Sequence, residues 1–278
     1  MIILEENYYL EDKNGKYFEN YIVKDMLGVI KKGTGYSIQN YGIKLKELEK
    51  EKLSFKLIHN DKKICGMNFE LDVIEDFERQ NNEFILAMDK RNKIEKILNK
   101  KEMIQNIDDK IFDFLEKNPE YSERIIDIAY KHKKLLSTEK TLETFMNTEG
   151  MSSFLFIDIF GKNFHYDKET VVTNHIGNIV PNVAIPIDFK FKIKGKNQEE
   201  LILGFESEYN SDASETNIIL ALKEYFEYPM YEKYDFKLDI KGEYIIDIRE
   251  NKLKEYDVTR KLNLAGNKYI RQIIVKKI

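Results

Sequence analysis

The chain has 278 residues, with 49 acidic and 45 basic side chains and a formal net charge of −4. A chain of that length buries about three quarters of its unfolded surface and needs no staple, and its single cysteine, Cys65, excludes both an intramolecular disulfide and a cysteine-built zinc site. Intermixed Lys and Glu leave no global footprint for nucleic acid, and no apolar run nears the ~20 residues that cross a bilayer. The acidic opening Met1-Ile2-Ile3-Leu4-Glu5-Glu6 is unlike a signal peptide, so a cytoplasmic protein with no membrane contact is expected.

Residues 1–88 read as a strand-rich region. Asn14-Gly15, between Tyr8-Tyr9-Leu10 and Tyr17-Phe18, is a type I′ turn signal, because both residues accept positive φ; it predicts a hairpin over residues 2–23. Lys32-Gly33-Thr34-Gly35 lacks the Gly-x-x-x-x-Gly-Lys-Ser/Thr spacing of a phosphate loop and reads as a turn before a strand at Tyr36. Phe55 and Leu57 lead to an expected turn at His59-Asn60-Asp61-Lys62. Beyond it Cys65, Met67, Phe69, Leu71 and Val73 alternate with polar residues, the period of a half-buried strand.

Residues 89–148 switch to helical period. Ile104, Ile107, Ile111, Phe114 and Leu115 form one apolar stripe, ended by Asn118-Pro119. A second helix carries Ile125, Ile128, Leu135 and Leu136, and Ser137-Thr138-Glu139 marks a third, short one through Leu142, Phe145 and Met146. A helical hairpin or small bundle is expected here.

Residues 149–278 return to strands. Ile187, Phe189, Phe191 and Ile193 alternate with Asp188, Lys190, Lys192 and Lys194, then turn at Gly195-Lys196-Asn197-Gln198 into Leu201, Leu203 and Phe205. Asp212 and Glu215 resemble a capping box opening a helix that stops at Tyr228-Pro229. Phe236, Leu238 and Ile240, an expected turn at Lys241-Gly242, then Tyr244, Ile246 and Ile248 read as a further hairpin, with a last strand over Ile270–Val275. The fold class expected is α+β: N-terminal antiparallel hairpins, a central helical hairpin or bundle, and a C-terminal antiparallel sheet with one helix.

Two groups of residues have the composition of reactive sites. Asp188 and the acids of Glu206-Ser207-Glu208 fall on neighbouring strands, and such carboxylates can hold Mg²⁺ while a lysine polarises water. Pro186-Ile187-Asp188 followed by Glu206 resembles the PD-(D/E)XK nucleases. That family has Glu-x-Lys where this chain has Glu206-Ser207-Glu208, so the lysine implied by the resemblance falls to Lys190 or Lys192. The alternative is that these acids and lysines pair across strands on a solvated face. His165, Asp167 and His175 have metal-ligand chemistry, but their spacing puts them on no common helix face, and hydrogen-bonded surface histidines explain them as well. No nucleophile elbow is present, and Cys65 falls on an apolar face.

The function expected is therefore that of a non-enzymatic interaction or assembly protein, a subunit of a larger complex or an inhibitor acting by binding. Its partner is another protein or a second copy; nucleic acid is a further candidate, one that net charge does not support. The order helix, hairpin, terminal strand over residues 214–275 resembles parts of phage-tail and baseplate proteins, which implies a complex of phage or mobile-element type. The alternative is a Mg²⁺-dependent nuclease using Asp188, Glu206 and Lys190 or Lys192; otherwise no cofactor is expected.

Overall fold

The computed structural model describes residues 7–10, 18–30, 35–49, 51–64, 82–89, 93–117, 119–148, 150–180, 183–209, 236–264 and 267–278. The fold is α+β. In chain order the elements are β1 (Asn7–Leu10), β2 (Phe18–Ile30), β3 (Gly35–Glu49), β4 (Lys52–Ile64), β5 (Glu83–Met88) and β6 (Ile94–Ile97). The helices α1 (Lys100–Lys117), α2 (Ser122–Ser137), α3 (Thr141–Thr148) and α4 (Gly150–Leu155) follow. The chain then forms β7 (Lys162–His165), β8 (Thr170–Val180), β9 (Val183–Lys196), β10 (Glu200–Tyr209), β11 (Phe236–Asp247), β12 (Lys252–Leu264) and β13 (Asn267–Lys277).

Eleven strands form one antiparallel sheet in the order β6-β5-β4-β3-β2-β13-β12-β11-β10-β9-β8. Each half is a meander of sequential neighbours, and the halves join where β2 pairs with β13, Val23 opposite Val275. Strands from the first and last thirds of the chain thus share one sheet, and the four helices connect its outermost strands, β6 and β8.

Those two outer strands meet the same helix. In α3, the Asn147 amide bonds both backbone groups of Ile94, accepting from its N–H at 3.0 Å and donating to its carbonyl at 2.7 Å, as a neighbouring strand would. One turn earlier, Glu143 accepts the Ile97 N–H at 2.9 Å. On the other side α3 packs on β8, where a Cβ at Gly177 would stand 2.5 Å from Thr148 Oγ1. The Lys93 ammonium donates to Asn174 Oδ1 of β8 at 3.0 Å, joining the two ends directly. Opposite edges of one sheet can share a helix only if the sheet curls, so its inner face is concave. Side chains of α3 supply the hydrogen bonds that an exposed edge would lack.

The concavity is filled by α4 and the segment after it. Phe154, Leu155, Phe156, Ile157, Ile159 and Phe160 are all buried. Phe154 packs on Phe189 of β9 and Tyr256 of β12, and Phe156 on Phe55 of β4, so one short segment touches both halves of the sheet. Inner-face rings continue this cluster, Phe205 lying 5.3 Å from Phe189 and 5.1 Å from Phe191 between centroids. Tyr244 is wholly buried, its hydroxyl donates to the Phe154 carbonyl at 3.0 Å, and burial pushes its phenol well above the ordinary range. Tyr244→Phe leaves that carbonyl unmet and is expected to lower stability by about 1.5 kcal/mol, read as a lower denaturation midpoint at unchanged m-value.

Several expected turns move. β1 pairs with β7, not with β2, so the hairpin expected over residues 2–23 does not form as such: β2 is taken by β3 and β13. Asn14-Gly15 itself lies outside the described residues. His59-Asn60-Asp61-Lys62 runs inside β4, paired with Gln39, Asn40 and Tyr41 across a bulge. The β3–β4 connection comes earlier, where Glu51 adopts a left-handed φ of 64°. Likewise Lys241-Gly242 is interior to β11, and the β11–β12 turn falls after Asp247, with Asn251 at φ 52°. Turn residues mark a turn only when the strands on both sides lack longer pairing, and here cross-strand partners extend through them. Residues 31–34, the alternating stretch 65–73 and the expected helix after Asp212 lie outside the described residues.

The helical expectations and the 187–205 hairpin match α1, α2, α3 and the β9–β10 pair.

Candidate functional site

The sequence candidates on β9 and β10 share the outer face of the sheet. Period-two alternation buries Ile187, Phe189, Phe191 and Ile193 and turns Asp188, Lys190 and Lys192 to the other side. In register, Asp188 faces Glu208 and Lys190 faces Glu206, so Asp188 and Glu206 are diagonal neighbours, about 7–8 Å apart. Each is tied to a neighbour. The Thr173 hydroxyl donates to Asp188 at 2.6 Å, Lys190 is ion-paired with Glu208, and Lys192 stands 3.4 Å from Glu169. Glu206 sits between Lys190 and Lys241 of the adjacent strands.

Beside it lies an open groove of about 320 Å³ over Gly204 and Gly242, walled by Lys194, Glu206, Lys241, Glu243, Asp257 and Thr259. Its charges are mixed in sign, and Asp257 is engaged by the Gln272 amide at 2.9 and 3.0 Å. The ladder is a set of cross-strand pairs on a wet face.

The imidazole candidates are spread out. His165 ends β7 opposite Asn7, Asp167 is exposed in the bend that follows, and His175 faces outward on β8 opposite Pro186. Asp158 pairs with Lys162 at 3.2 Å. Among the described residues, no group of three or more His, Cys, Asp or Glu stands where it could hold a metal ion.

Two features were not legible in the sequence. The first is the buried polar seam at α3. Glu143, only 4% exposed, takes the Ile97 N–H on one oxygen and the Lys100 ammonium on the other at 2.7 Å. Burial lowers the basicity of Lys93, opposed by the Asp158 and Asp89 carboxylates. The second is the outward flank of the α1–α2 hairpin. The helices pack on each other, with Met103 and Ile107 buried on α1 and Ile125, Ile128 and Ala129 buried on α2. Half-buried His132 lies on the packed side of α2, and desolvation holds its imidazole below the ordinary value. Asp108 is ion-paired with Lys133, which marks the antiparallel level of the two helices.

At 100° per residue, Phe112 lies one turn beyond Asp108 on its own flank of α1, and Tyr130 and Ile126 lie three and seven residues before Lys133 on its flank of α2. All three apolar side chains therefore fall on the side of the hairpin that carries the Asp108–Lys133 pair, and they are 73%, 65% and 51% exposed in that order. The signal for such a flank is an apolar residue off the main stripe, which Phe112, Ile126 and Tyr130 each are.

No protein-family model matches the chain, and no curated protein matches it. A solved structure of lipovitellin, described in terms of lipid–protein interactions, is similar to it with a TM-score of 0.47 at 7% identity, over 96% of this chain and 25% of that one. The chain spans about a quarter of the length of that protein. Among the described residues, no helix is long and apolar enough to cross a membrane.

Proposed function

We propose that this chain is a non-enzymatic interaction or assembly protein, a complex subunit that docks through the outward flank of its α1–α2 hairpin while the curled sheet serves as the frame. The observation that carries the reading is the grouping of Phe112, Ile126 and Tyr130 on one exposed flank. Large apolar side chains gathered on one surface mark sites that meet a partner, whereas scattered ones need no explanation. Aromatic residues with few rotamers are also the usual anchors of an interface. The pairing of Asp188, Lys190 and Lys192 with their neighbours favours binding over metal-assisted hydrolysis. A cytoplasmic location goes with this reading, since the one thiol suits a reducing compartment.

The double variant Phe112→Ser, Tyr130→Ser tests it. Both positions are exposed, so helix content and unfolding midpoint should stay near wild type. Binding to the chain's partner, measured by capture from its own host and then with the purified partner, should weaken by about a hundred-fold, as expected for two interface anchors. Undiminished binding by the variant overturns the reading, as does Mg²⁺-dependent cleavage of DNA or RNA that is lost on Asp188→Ala.

A further inference from the structure

We infer that the curled sheet opens locally at the seam between β6 and α3, and that α3 is a clasp whose release uncovers the outer edge of β6 while the rest of the sheet stays folded. The inference is independent of the docking reading above. Inside the sheet, neighbouring strands are held by backbone ladders, as at the central junction, which runs from Lys268 opposite Ile30 to Lys277 opposite Tyr21. Across the seam, among the described residues, side chains make the polar contacts. Asn147 holds both backbone groups of Ile94, Glu143 holds the Ile97 N–H and Lys100, and Lys93 reaches Asn174.

Closing the seam takes several polar groups out of water at once. Glu143 and Asn174 are 4% and 6% exposed, and burial lowers the basicity of Lys93 even though Asp158 and Asp89 oppose it. Asn174 turns its Oδ1 to the Lys93 ammonium, so the Nδ2 on the other arm of the carboxamide has no acceptor among the described residues. A buried donor without a partner bears the full cost of its desolvation, and opening the seam returns it to water. Buried apolar side chains on both elements, Ile94 and Ile97 of β6 and Leu142 and Met146 of α3, keep the closed form dominant. Parting here is less costly than parting a ladder, because the polar groups released regain water while no strand pairing is broken.

The path of the chain sets which part moves. α3 leads into α4, whose Phe154 and Leu155 are buried in the concavity, so α3 stays with β8. The hairpin of β5 and β6 swings instead, since it joins the sheet over a short run, from Lys52 opposite Ala87 to Lys56 opposite Glu83. Once released, the outer backbone groups of Ile94 can pair with an added strand, which the Asn147 carboxamide imitates in the closed form.

Native-state hydrogen exchange of the full chain, followed residue by residue, tests this, with circular dichroism as a check on folding. The Ile94 and Ile97 amides should exchange about a hundred-fold faster than those at the centre of β10 and β11. Their rates should also respond less to low denaturant, since a local opening exposes little surface. The two amides should be coupled through the helix. Glu143→Gln leaves the Asn147 contact in place, yet it should speed exchange at Ile94 about ten-fold, and Asn147→Ala should do the same at Ile97. If both amides exchange at the rate of the core and with its denaturant dependence, the inference is overturned, because the sheet then opens only by unfolding. It is overturned too if each variant changes only the amide it touches, because α3 then frays bond by bond.

Discussion

Glu143→Ala is expected to lower the unfolding free energy by about 3 kcal/mol, the lower end for removing one partner of a buried ion pair, because Lys100 keeps some contact with solvent. Its carboxylate is held between the Ile97 N–H and the Lys100 ammonium, at 2.9 and 2.7 Å. Alanine leaves the ammonium without its counter-charge and the edge strand β6 without its hydrogen bond. Glu143→Gln keeps the shape and can still accept from Ile97, so it should lose about half as much, the part due to charge.

The pH dependence has a definite sign. Burial by itself raises the Glu143 pKa, but the Lys100 ammonium and the Ile97 N–H outweigh it and hold the group below its ordinary 4.5. A folded pKa below the unfolded one gives stability that is complete above the unfolded value and is lost as pH falls through the folded one. Wild type should therefore lose this share in acid below about pH 4.5, and Glu143→Gln, which does not titrate there, should show a shallower acid limb. Denaturant midpoints measured between neutral pH and the acid limb check both statements; a Glu143→Gln limb as steep as wild type would assign the acid sensitivity to other groups.

Gly242→Ala is expected to cost about 3 kcal/mol, at the upper end for overpacking. A Cβ there would stand 2.3 Å from the backbone oxygen of Asp257 and 3.0 Å from both Phe205 Cε1 and the Val258 Cα. The obstacle is largely main chain, and β11 cannot shift to relieve it because Gly242 is paired on both sides, to Phe205 of β10 and Val258 of β12. Gly195 supplies the contrast. Its added Cβ would meet only Ile202 Cδ1 at 3.6 Å, an ordinary contact, so Gly195→Ala should change stability by no more than about 0.5 kcal/mol. Equal stabilities for the two variants would show that β10, β11 and β12 pack more loosely than these distances require.

The same glycine shows where reading the chain linearly goes astray. Lys241-Gly242 has the composition of a turn, and nothing local distinguishes a glycine needed for left-handed φ from one needed because another strand passes too close. Gly242 is of the second kind, and only the neighbours Phe205 and Asp257, far away in the chain, make it so. His59-Asn60-Asp61-Lys62 misleads for a related reason, since its polar side chains are carried on a long strand whose pairing with β3 continues through a bulge. The nuclease-like set was legible as residues but not as geometry. Register places Lys190 opposite Glu206, and the Glu208 side chain reaches over to pair with Lys190; neither fact follows from composition.

What the amino-acid order determined by itself is whatever depends on neighbours within a few residues. The period of two in Ile187–Ile193 made a strand with one buried face, the 3.6-residue stripe of Ile104–Leu115 made a helix, and Pro119 ended one helix and opened the next turn. Tertiary structure alone decided which strands share the sheet, that β13 joins β2 at its centre, and that both outer strands close on α3. It also decided that Phe112, Ile126 and Tyr130 lie together on the outer flank, because the packing of the two helices, marked by the Asp108–Lys133 contact, sets their relative level and periodicity within either one does not. Local torsions and side-chain periodicity are short-ranged, whereas register between distant segments is chosen by the summed burial and hydrogen bonding of the whole chain.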